Sequence, residues 1–176
     1  MEVRLLGPVE VHAAGRLWDA GPRQQRHVLA ALAADAGRPL TTETLIDRVW
    51  DEAPSGARRA LHVHITRIRR LLEQTGGGSL TRRSGGYLLQ ADVDLRTFRH
   101  LADQASSLVL LGQARALWRG EPLAGLTGAW AEQCRRIWRR EYLVVTEAWA
   151  RAHLAAGEPE AVIAALTELT GEEPFV

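Results

Sequence analysis

The sequence predicts two domains of different fold class, an α+β domain over residues 1–91 and an all-α domain over residues 92–176. In the first half, short alternating stretches and a glycine-containing hairpin flank three segments of helical periodicity. In the second half, nearly every segment has helical periodicity. The charge is also divided, with 13 arginines against 9 acids in the first half and 9 arginines against 12 acids in the second.

The first half begins with three short stretches in which apolar and polar side chains alternate, and these predict a small antiparallel sheet. They are residues 2–6, 8–12 and 16–18. Gly21-Pro22 then predicts the start of a helix, and Gly37 predicts its end. A second helix is predicted from Thr42, with Thr41 or Thr42 as its cap, and a loop follows it at residues 51–56.

A third helix is predicted over residues 58–74, where the positive charge is concentrated. Residues 57–83 contain seven arginines and one acid. On a helical wheel, the stripe predicted to be buried is Leu61, Ile65, Ile68 and Leu72. The opposite face consists of Arg59, Val63, Thr66 and Arg70, with Arg67 alongside. His62 and Arg69 lie on one shoulder of the wheel and His64 on the other.

This cationic face has two interpretations. Small apolar and hydroxyl groups between arginines suit a helix that presses against base edges and thymine methyl groups of DNA. A solvated amphipathic helix is the alternative, and the helix alone does not decide between them. Its context favours DNA, because two helices precede it and a hairpin at residues 79–83 and 87–90 follows it, the order of a helix-turn-helix with a wing.

The hairpin has two arginines, Arg82 and Arg83, next to the turn Ser84-Gly85-Gly86. At this position they are expected to reach a minor groove or a phosphate. The alternative is an ordinary charged hairpin edge, which prevents edge-to-edge pairing of sheets.

The second half predicts helices over residues 94–106, 108–119, 128–156 and 159–170. The last two form a pair of the kind stacked in helical-repeat proteins, although no fixed-period sequence repeat is present. Four tryptophans lie in this half: Trp118, Trp130, Trp138 and Trp149. We expect them to form the core between the helices, with a ligand pocket or partner groove as the alternative.

No pattern typical of an enzyme is present in the sequence. It has no phosphate loop, nucleophile elbow or HExxH motif, so no catalytic, metal or cofactor site is predicted. His62 and His64 do not share a helix face, which argues against a metal site. Cys134 has arginine neighbours that lower a thiol pKa, but a packed cysteine is expected. No signal peptide or membrane span is recognisable, and the single cysteine fits a reducing cytoplasm.

Several stretches resemble known families. RALHVHITRIRRLL followed by LTRRSGGYLL resembles the recognition helix and wing of the OmpR/PhoB-type winged-helix domain, and LTTETLIDRVW and the N-terminal strands match it too. DVDLRTFRHLADQA, ARALWRGEPLAGL and the long stretch from GAWAEQCRRIWRR onward resemble the bacterial transcriptional activator domain, a TPR-like helical repeat. Together they resemble the SARP regulators, the antibiotic regulatory protein family.

This resemblance implies that the third helix enters the major groove of double-stranded DNA. The implied base and phosphate contacts are Arg59, His62, Val63, Thr66, Arg67 and Arg70. In the wing, Arg83 corresponds to a minor-groove arginine, Thr81 to a phosphate partner, and Arg82 lies beside them. The family binds direct repeats beside a promoter as a dimer and contacts RNA polymerase holoenzyme, here expected at the loop 51–56.

The resemblance therefore predicts a transcriptional activator of a secondary-metabolite gene cluster, located at the bacterial nucleoid. The alternative is a helical-repeat interaction module whose winged helix binds protein, motivated by the acidic second half and its tryptophans. Three departures from the family pattern are expected to matter. No receiver domain precedes the winged helix, so aspartyl phosphorylation is not expected as a switch. The stretch between Ala105 and Gly112 is shorter than in the usual first helical hairpin of the family. The sequence stops at residues 172–176, where the activator domain usually continues, so that domain is expected to be shortened.

Overall fold

A computed structural model describes residues 1–83, 85–104 and 107–172, with the side chains described as far as residue 165. Ser84 of the predicted hairpin turn, residues 105–106 of the expected shortened stretch and the last four residues lie outside this description. The predicted fold class, an α+β winged-helix half followed by an all-α half, is confirmed.

The winged-helix half contains seven strands and three helices among the described residues. The strands are β1 (Glu2–Arg4), β2 (Glu10–Ala13), β3 (Arg16–Trp18), β4 (Leu40–Thr41), β5 (Ser79–Arg83), β6 (Gly86–Gln90) and β7 (Asp92–Val93). The helices are α1 (Arg23–Ala33), α2 (Thr42–Val49) and α3 (Ala57–Thr75). The strands form two sheets, with orders β3-β2-β1-β7 and β4-β6-β5.

The two N-terminal strands are shorter than the predicted stretches 2–6 and 8–12. β1 ends at Arg4 because the N–H groups of Leu5 and Leu6 donate to a side chain, Asp94, instead of to a neighbouring strand. The sequence pattern also missed β4 and β7, each of two residues. β7 pairs in parallel with β1, so the residues just beyond position 91 complete the N-terminal sheet.

The helices α1 to α3 enclose the core of the first half, as their apolar periodicity predicts. Of the two candidate caps of α2, Thr41 is the one used, since its hydroxyl accepts from the N–H of Thr44 at 3.1 Å. α1 ends at Ala33, and Gly37 turns back toward the wing, where its N–H donates to the carbonyl of Leu89 at 2.8 Å.

The second half consists of α4 (Asp94–Asp103), α5 (Leu108–Ala116), α6 (Ala129–Ala155) and α7 (Pro159–Glu172). Each helix packs against the next one along the chain, which is the arrangement of a helical repeat. α5 ends three residues before the predicted position 119, because the chain turns back there and the Arg119 N–H donates to the carbonyl of Leu6. Trp138 and Trp149 are buried and Trp118 packs against Phe98 and Tyr142, as expected for a core between the helices. The expectation is wrong for Trp130, whose ring lies against the first half of the chain.

Asp94 joins the two halves. Its carboxylate, almost fully buried, accepts hydrogen bonds from the N–H groups of Leu5, Leu6 and Leu95 at 2.7–3.0 Å. The guanidinium of Arg119 adds a fourth donor at 3.2 Å and also binds Glu10 at 2.8 Å. Burial raises the pKa of Asp94, while these donors oppose that shift.

A second contact between the halves, which we call the tryptophan clasp, consists of Trp130, His27 and Arg48. The Trp130 ring at the start of α6 lies 5.6 Å from the His27 ring of α1, measured between centroids. The Arg48 guanidinium of α2 lies 5.7 Å from the centre of the same ring. His27 is buried and its Nε2 has no hydrogen-bond partner among the described residues. Burial, with a contribution from Arg23, lowers the pKa of His27.

Replacing Asp94 with alanine is expected to destabilise the protein strongly. The change leaves three buried N–H groups with fewer acceptors and removes one partner of Arg119, a loss we place at about 3 kcal/mol in the free energy of unfolding. Urea denaturation followed by circular dichroism measures it. The exposed Asp92 is the matched control, because Asp92→Ala removes the same charge two residues away and should cost within about 0.5 kcal/mol. Equal losses in both variants would contradict the role given to Asp94.

Stability is expected to fall as the pH drops below 6.5, partly because of His27. Its pKa is lowered in the folded state from the ordinary value of 6.5, so the unfolded chain binds the proton more readily. The stability contributed by neutral His27 is complete above pH 6.5 and is lost as the pH falls toward the folded-state pKa. Over that range the free energy of unfolding changes by up to about 1.4 kcal/mol per pH unit. His27→Phe retains an aromatic ring beside Trp130 and should flatten this profile, measured by urea denaturation between pH 5 and 8. An unchanged slope would contradict the assignment.

Candidate nucleic-acid interface

The orientation of α3 is set by its apolar stripe. The four predicted residues, Leu61, Ile65, Ile68 and Leu72, are at most 2% exposed. Because these side chains recur at three- and four-residue spacing, burying them turns the opposite face of the helix outward. Gly76 ends the helix in the left-handed conformation with φ of 66°, which glycine adopts without steric cost.

The predicted contact residues of α3 lie together on this outward face. All are exposed except Thr66, which is half-buried: Arg59, His62, Val63, Thr66, Arg67 and Arg70. None of the three arginines forms an ion pair with any residue that the structure describes. Their charge is therefore available to a ligand, and the face has the cationic character that phosphate binding needs.

The centre of the face offers methyl groups. Val63 is 43% exposed, so its methyl groups are open to a ligand. The hydroxyl of Thr66 donates to the carbonyl of His62 at 3.0 Å, a bond within the helix. Its hydrogen is thus already used, and what Thr66 presents outward is a methyl group and an oxygen lone pair. The methyl group suits an apolar contact with a thymine methyl, and the hydroxyl oxygen can accept a hydrogen bond but has no free hydrogen to donate.

Two arginines of the basic stretch have internal partners, which the sequence did not reveal. Arg58 pairs with Glu43 of α2. Arg69 donates from Nε to the carbonyl of Leu80 in β5 at 2.9 Å, and its guanidinium lies 5.9 Å from the centre of the Tyr87 ring in β6. Arg69 therefore braces the wing against α3. Its position on the shoulder of the wheel was the only sign of this role in the sequence.

His64 lies on the other shoulder of α3 and is half-buried. Burial lowers its pKa, and the neighbouring charge of Arg67 lowers it further. His64 is therefore neutral at physiological pH and adds no charge to the face. The cationic character of α3 comes from its arginines.

The wing is the hairpin of β5 and β6, whose register pairs Thr81 with Leu88 and Arg83 with Gly86. Since side chains alternate along a strand, Thr81 and Arg83 share one face, and Arg82 lies on the other face with the buried Leu80. All three predicted wing residues, Thr81, Arg82 and Arg83, are exposed. The register therefore places Arg82 on the opposite face of the hairpin from Thr81 and Arg83.

Gly86 allows the wing to pack against β4. A Cβ atom at this position would lie 1.9 Å from the carbonyl oxygen of Leu40 and 2.9 Å from the Cα of Thr41. Any side chain would push the two strands apart and move the wing relative to α3. The second glycine of the SGG turn is thus required by close backbone approach.

The remaining candidate sites of the sequence are placed elsewhere. Cys134 is half-buried, and burial raises its pKa to about 11, so the flanking arginines do not activate the thiol. Over the described residues, no three potential metal ligands come together. In the same part of the chain, no helix is long and apolar enough to cross a membrane.

Two known families match consecutive parts of the chain. The family described as "Transcriptional regulatory protein, C terminal" matches residues 20–89, and the "Bacterial transcriptional activator domain" matches residues 90–176. The chain has the architecture of a SARP-type transcriptional regulator. This confirms the resemblance stated above. Both family descriptions belong to transcriptional regulation.

Individual regulators resemble this SARP-type chain along nearly its whole length. It is 31% identical to the regulatory protein AfsR of Streptomyces griseus over 185 residues, which cover 97% of this chain and 19% of AfsR. It is 30% identical to the transcriptional regulator RedD of Streptomyces coelicolor, with 99% of this chain and 55% of RedD covered. AfsR is a regulatory protein and RedD a transcriptional regulator, and the prediction that the chain is not an enzyme is confirmed.

A solved structure agrees with the fold of this SARP-type regulator. Mycobacterium tuberculosis EmbR, in complex with a low-affinity phosphopeptide, superposes with a TM-score of 0.84 at 30% identity, covering 97% of this chain and 50% of that one. The chain therefore spans about half the length of EmbR and RedD and about a fifth of AfsR.

Proposed function

We propose that this SARP-type regulator is a sequence-specific DNA-binding activator whose contact surface is the outward face of α3 together with the wing. The α3 contacts are Arg59, His62, Val63, Thr66, Arg67 and Arg70. The wing contacts are Thr81, Arg82 and Arg83. The observation that supports this most directly is the set of exposed arginines without ion-pair partners among the described residues, arranged around two methyl-bearing side chains.

The proposal extends to the mode of binding and to the partners. Two copies would bind direct repeats beside a promoter, and repeats separated by about 10–11 bp place both recognition helices on one face of the DNA. The exposed loop at residues 51–56 would contact RNA polymerase holoenzyme. The domain limits 1–91 and 92–176, the setting in the bacterial cytoplasm and the control of a secondary-metabolite gene cluster belong to the same proposal, which the likeness to AfsR and RedD supports.

Arg67→Ala and Arg70→Ala are expected to weaken binding to the native promoter region, first located by footprinting. An arginine on a phosphate should lower the slope of log affinity against log salt by about 0.9, while an arginine on a guanine should cost about 1–3 kcal/mol and relax specificity at one position. Affinity measured by fluorescence anisotropy from 50 to 300 mM salt separates the two cases.

Arg136→Ala is the matched control, because it removes one exposed arginine from α6 in the other half. Its affinity for the promoter should stay within about twofold of the wild type, a change much smaller than the loss of about 1–3 kcal/mol expected for a base contact. Equal affinity for the native promoter and for unrelated DNA would contradict sequence-specific binding. That outcome, with a stable protein partner recovered from the native cell, would support the alternative of a protein-interaction module, which the exposed Leu143 and Val144 of α6 favour.

The centre of the face predicts contact with a thymine methyl group. Replacing each thymine of the footprinted repeat by deoxyuridine should weaken binding at one or two positions, by about fourfold for one buried methyl group at about 0.8 kcal/mol. In Val63→Ala, the same replacement should have a smaller effect, because the apolar partner is missing. The prediction is wrong if no deoxyuridine changes the affinity of the wild-type protein, or if Val63→Ala discriminates as well as the wild type.

A further inference from the structure

The loop at residues 51–56 begins with a side chain that reaches the other half of the chain. The Oδ1 atom of Asp51 accepts a hydrogen bond from the backbone N–H of Ala129, at 2.8 Å. Ala129 is the first residue of α6, so Asp51 caps this helix from a position 78 residues away in the sequence. The first N–H groups of a helix have no partner within it, and a carboxylate is favoured there by the helix dipole.

The residue that precedes α6 is suited to this arrangement. Gly128 has no side chain with which to cap the helix itself, and its φ of 110° favours glycine. A Cβ atom at Gly128 would lie only 3.2 Å from Oδ1 of Asp51. Glycine therefore leaves room for the carboxylate of the other half to approach the end of the helix.

The same turn of α6 is held by the tryptophan clasp. Trp130 follows Ala129 directly and contacts both His27 and Arg48, so the backbone that Asp51 binds is held close to α1 and α2. The charge of Asp51 also acts on His27, where it raises the pKa against the larger lowering that burial causes. The cap is thus part of a contact that involves both helices before the loop.

The rest of the loop extends outward. Residues 52–56 are exposed, and at the far end the N–H of Ala57 donates to the carbonyl of Pro54 at 2.9 Å, within the winged-helix half. The loop therefore begins at a contact with α6 and ends at the start of α3. A loop held at both ends loses less conformational freedom when a partner binds it.

We propose that Asp51 is a positioning residue through which the helical half sets the conformation of the loop at residues 51–56. The idea rests on the proposed function, because that loop is the surface proposed for RNA polymerase. If Asp51 has this role, operator binding and activation of transcription can be lost separately. The DNA-contacting face of α3 depends on its buried stripe, whereas the loop depends on the cap, so losing the cap reduces activation without reducing operator binding.

Three variants of the full chain test the proposal. Asp51→Ala removes the acceptor, Asp51→Asn retains an oxygen that accepts the same hydrogen bond, and Asp47→Ala removes an exposed acid of α2 as a charge control. Hydrogen–deuterium exchange over residues 51–57 should become at least threefold faster in Asp51→Ala only. Operator affinity should stay within twofold in all three. Transcript yield at saturating protein, with bacterial RNA polymerase holoenzyme, should fall at least threefold in Asp51→Ala alone.

Three outcomes would overturn the proposal. One is loop exchange that is the same in Asp51→Ala and the wild type. Another is a loss of operator affinity in proportion to the loss of transcription, which would indicate a general defect in folding. The third is an Asp51→Asn variant that behaves like Asp51→Ala, which would mean that the charge, and not the cap, is what a partner needs.

The exchange measurement needs neither DNA nor polymerase, so it separates this proposal from the proposed function. If the wild-type protein binds its operator and fails to activate, activation through the loop is wrong, and unequal loop exchange in Asp51→Ala and Asp47→Ala still supports the cap. If exchange is equal in these two variants while the wild type activates transcription, the cap proposal fails and the proposed function stands.

Discussion

The buried carboxylate of Asp94 is the interaction on which the placement of the two halves depends. It lies where the end of β1 and the start of α4 meet, and Arg119 brings the segment after α5 to the same point. A buried carboxylate is costly unless donors surround it, and here three backbone N–H groups and a guanidinium do so. None of the segments can shift without breaking at least one of these bonds, so the helical half is fixed relative to the N-terminal sheet.

The tryptophan clasp and the Asp51 cap join the same two halves at a second place. Asp94 connects the N-terminal sheet with α4, whereas Trp130 connects α1 and α2 with α6. Rotation about one joint is opposed by the other, because the two involve different elements on each side. The face of α3 is therefore held in a defined orientation relative to the helical half. A fixed orientation suits the proposed function, in which the face of α3 binds DNA while another surface of the same chain binds a partner.

Local sequence patterns predicted most of the helices and strands, but they could not predict contacts between residues that are distant in the sequence. The stripe of α3 follows from three- and four-residue spacing. Side-chain chemistry within a few residues limited the cap of α2 to Thr41 or Thr42, and the structure decides for Thr41. The two-residue strands β4 and β7 have no pattern of their own, since only pairing across the sheet defines them. No local pattern singled out Asp94, because its partners Leu5 and Leu6 lie almost ninety residues earlier.

The basic stretch shows why composition overstates a binding site. Residues 57–83 contain seven arginines, but Arg58 is paired with Glu43 and Arg69 with the carbonyl of Leu80. Five arginines are left for DNA: Arg59, Arg67, Arg70, Arg82 and Arg83. If each neutralised one phosphate, the slope of log affinity against log salt would be at most about 4–5 per protomer, against about 6 for all seven. The internal partners of Arg58 and Arg69 thus limit the number of direct phosphate contacts in the proposed complex, and they tie α2 and the wing to the helix that carries the other arginines.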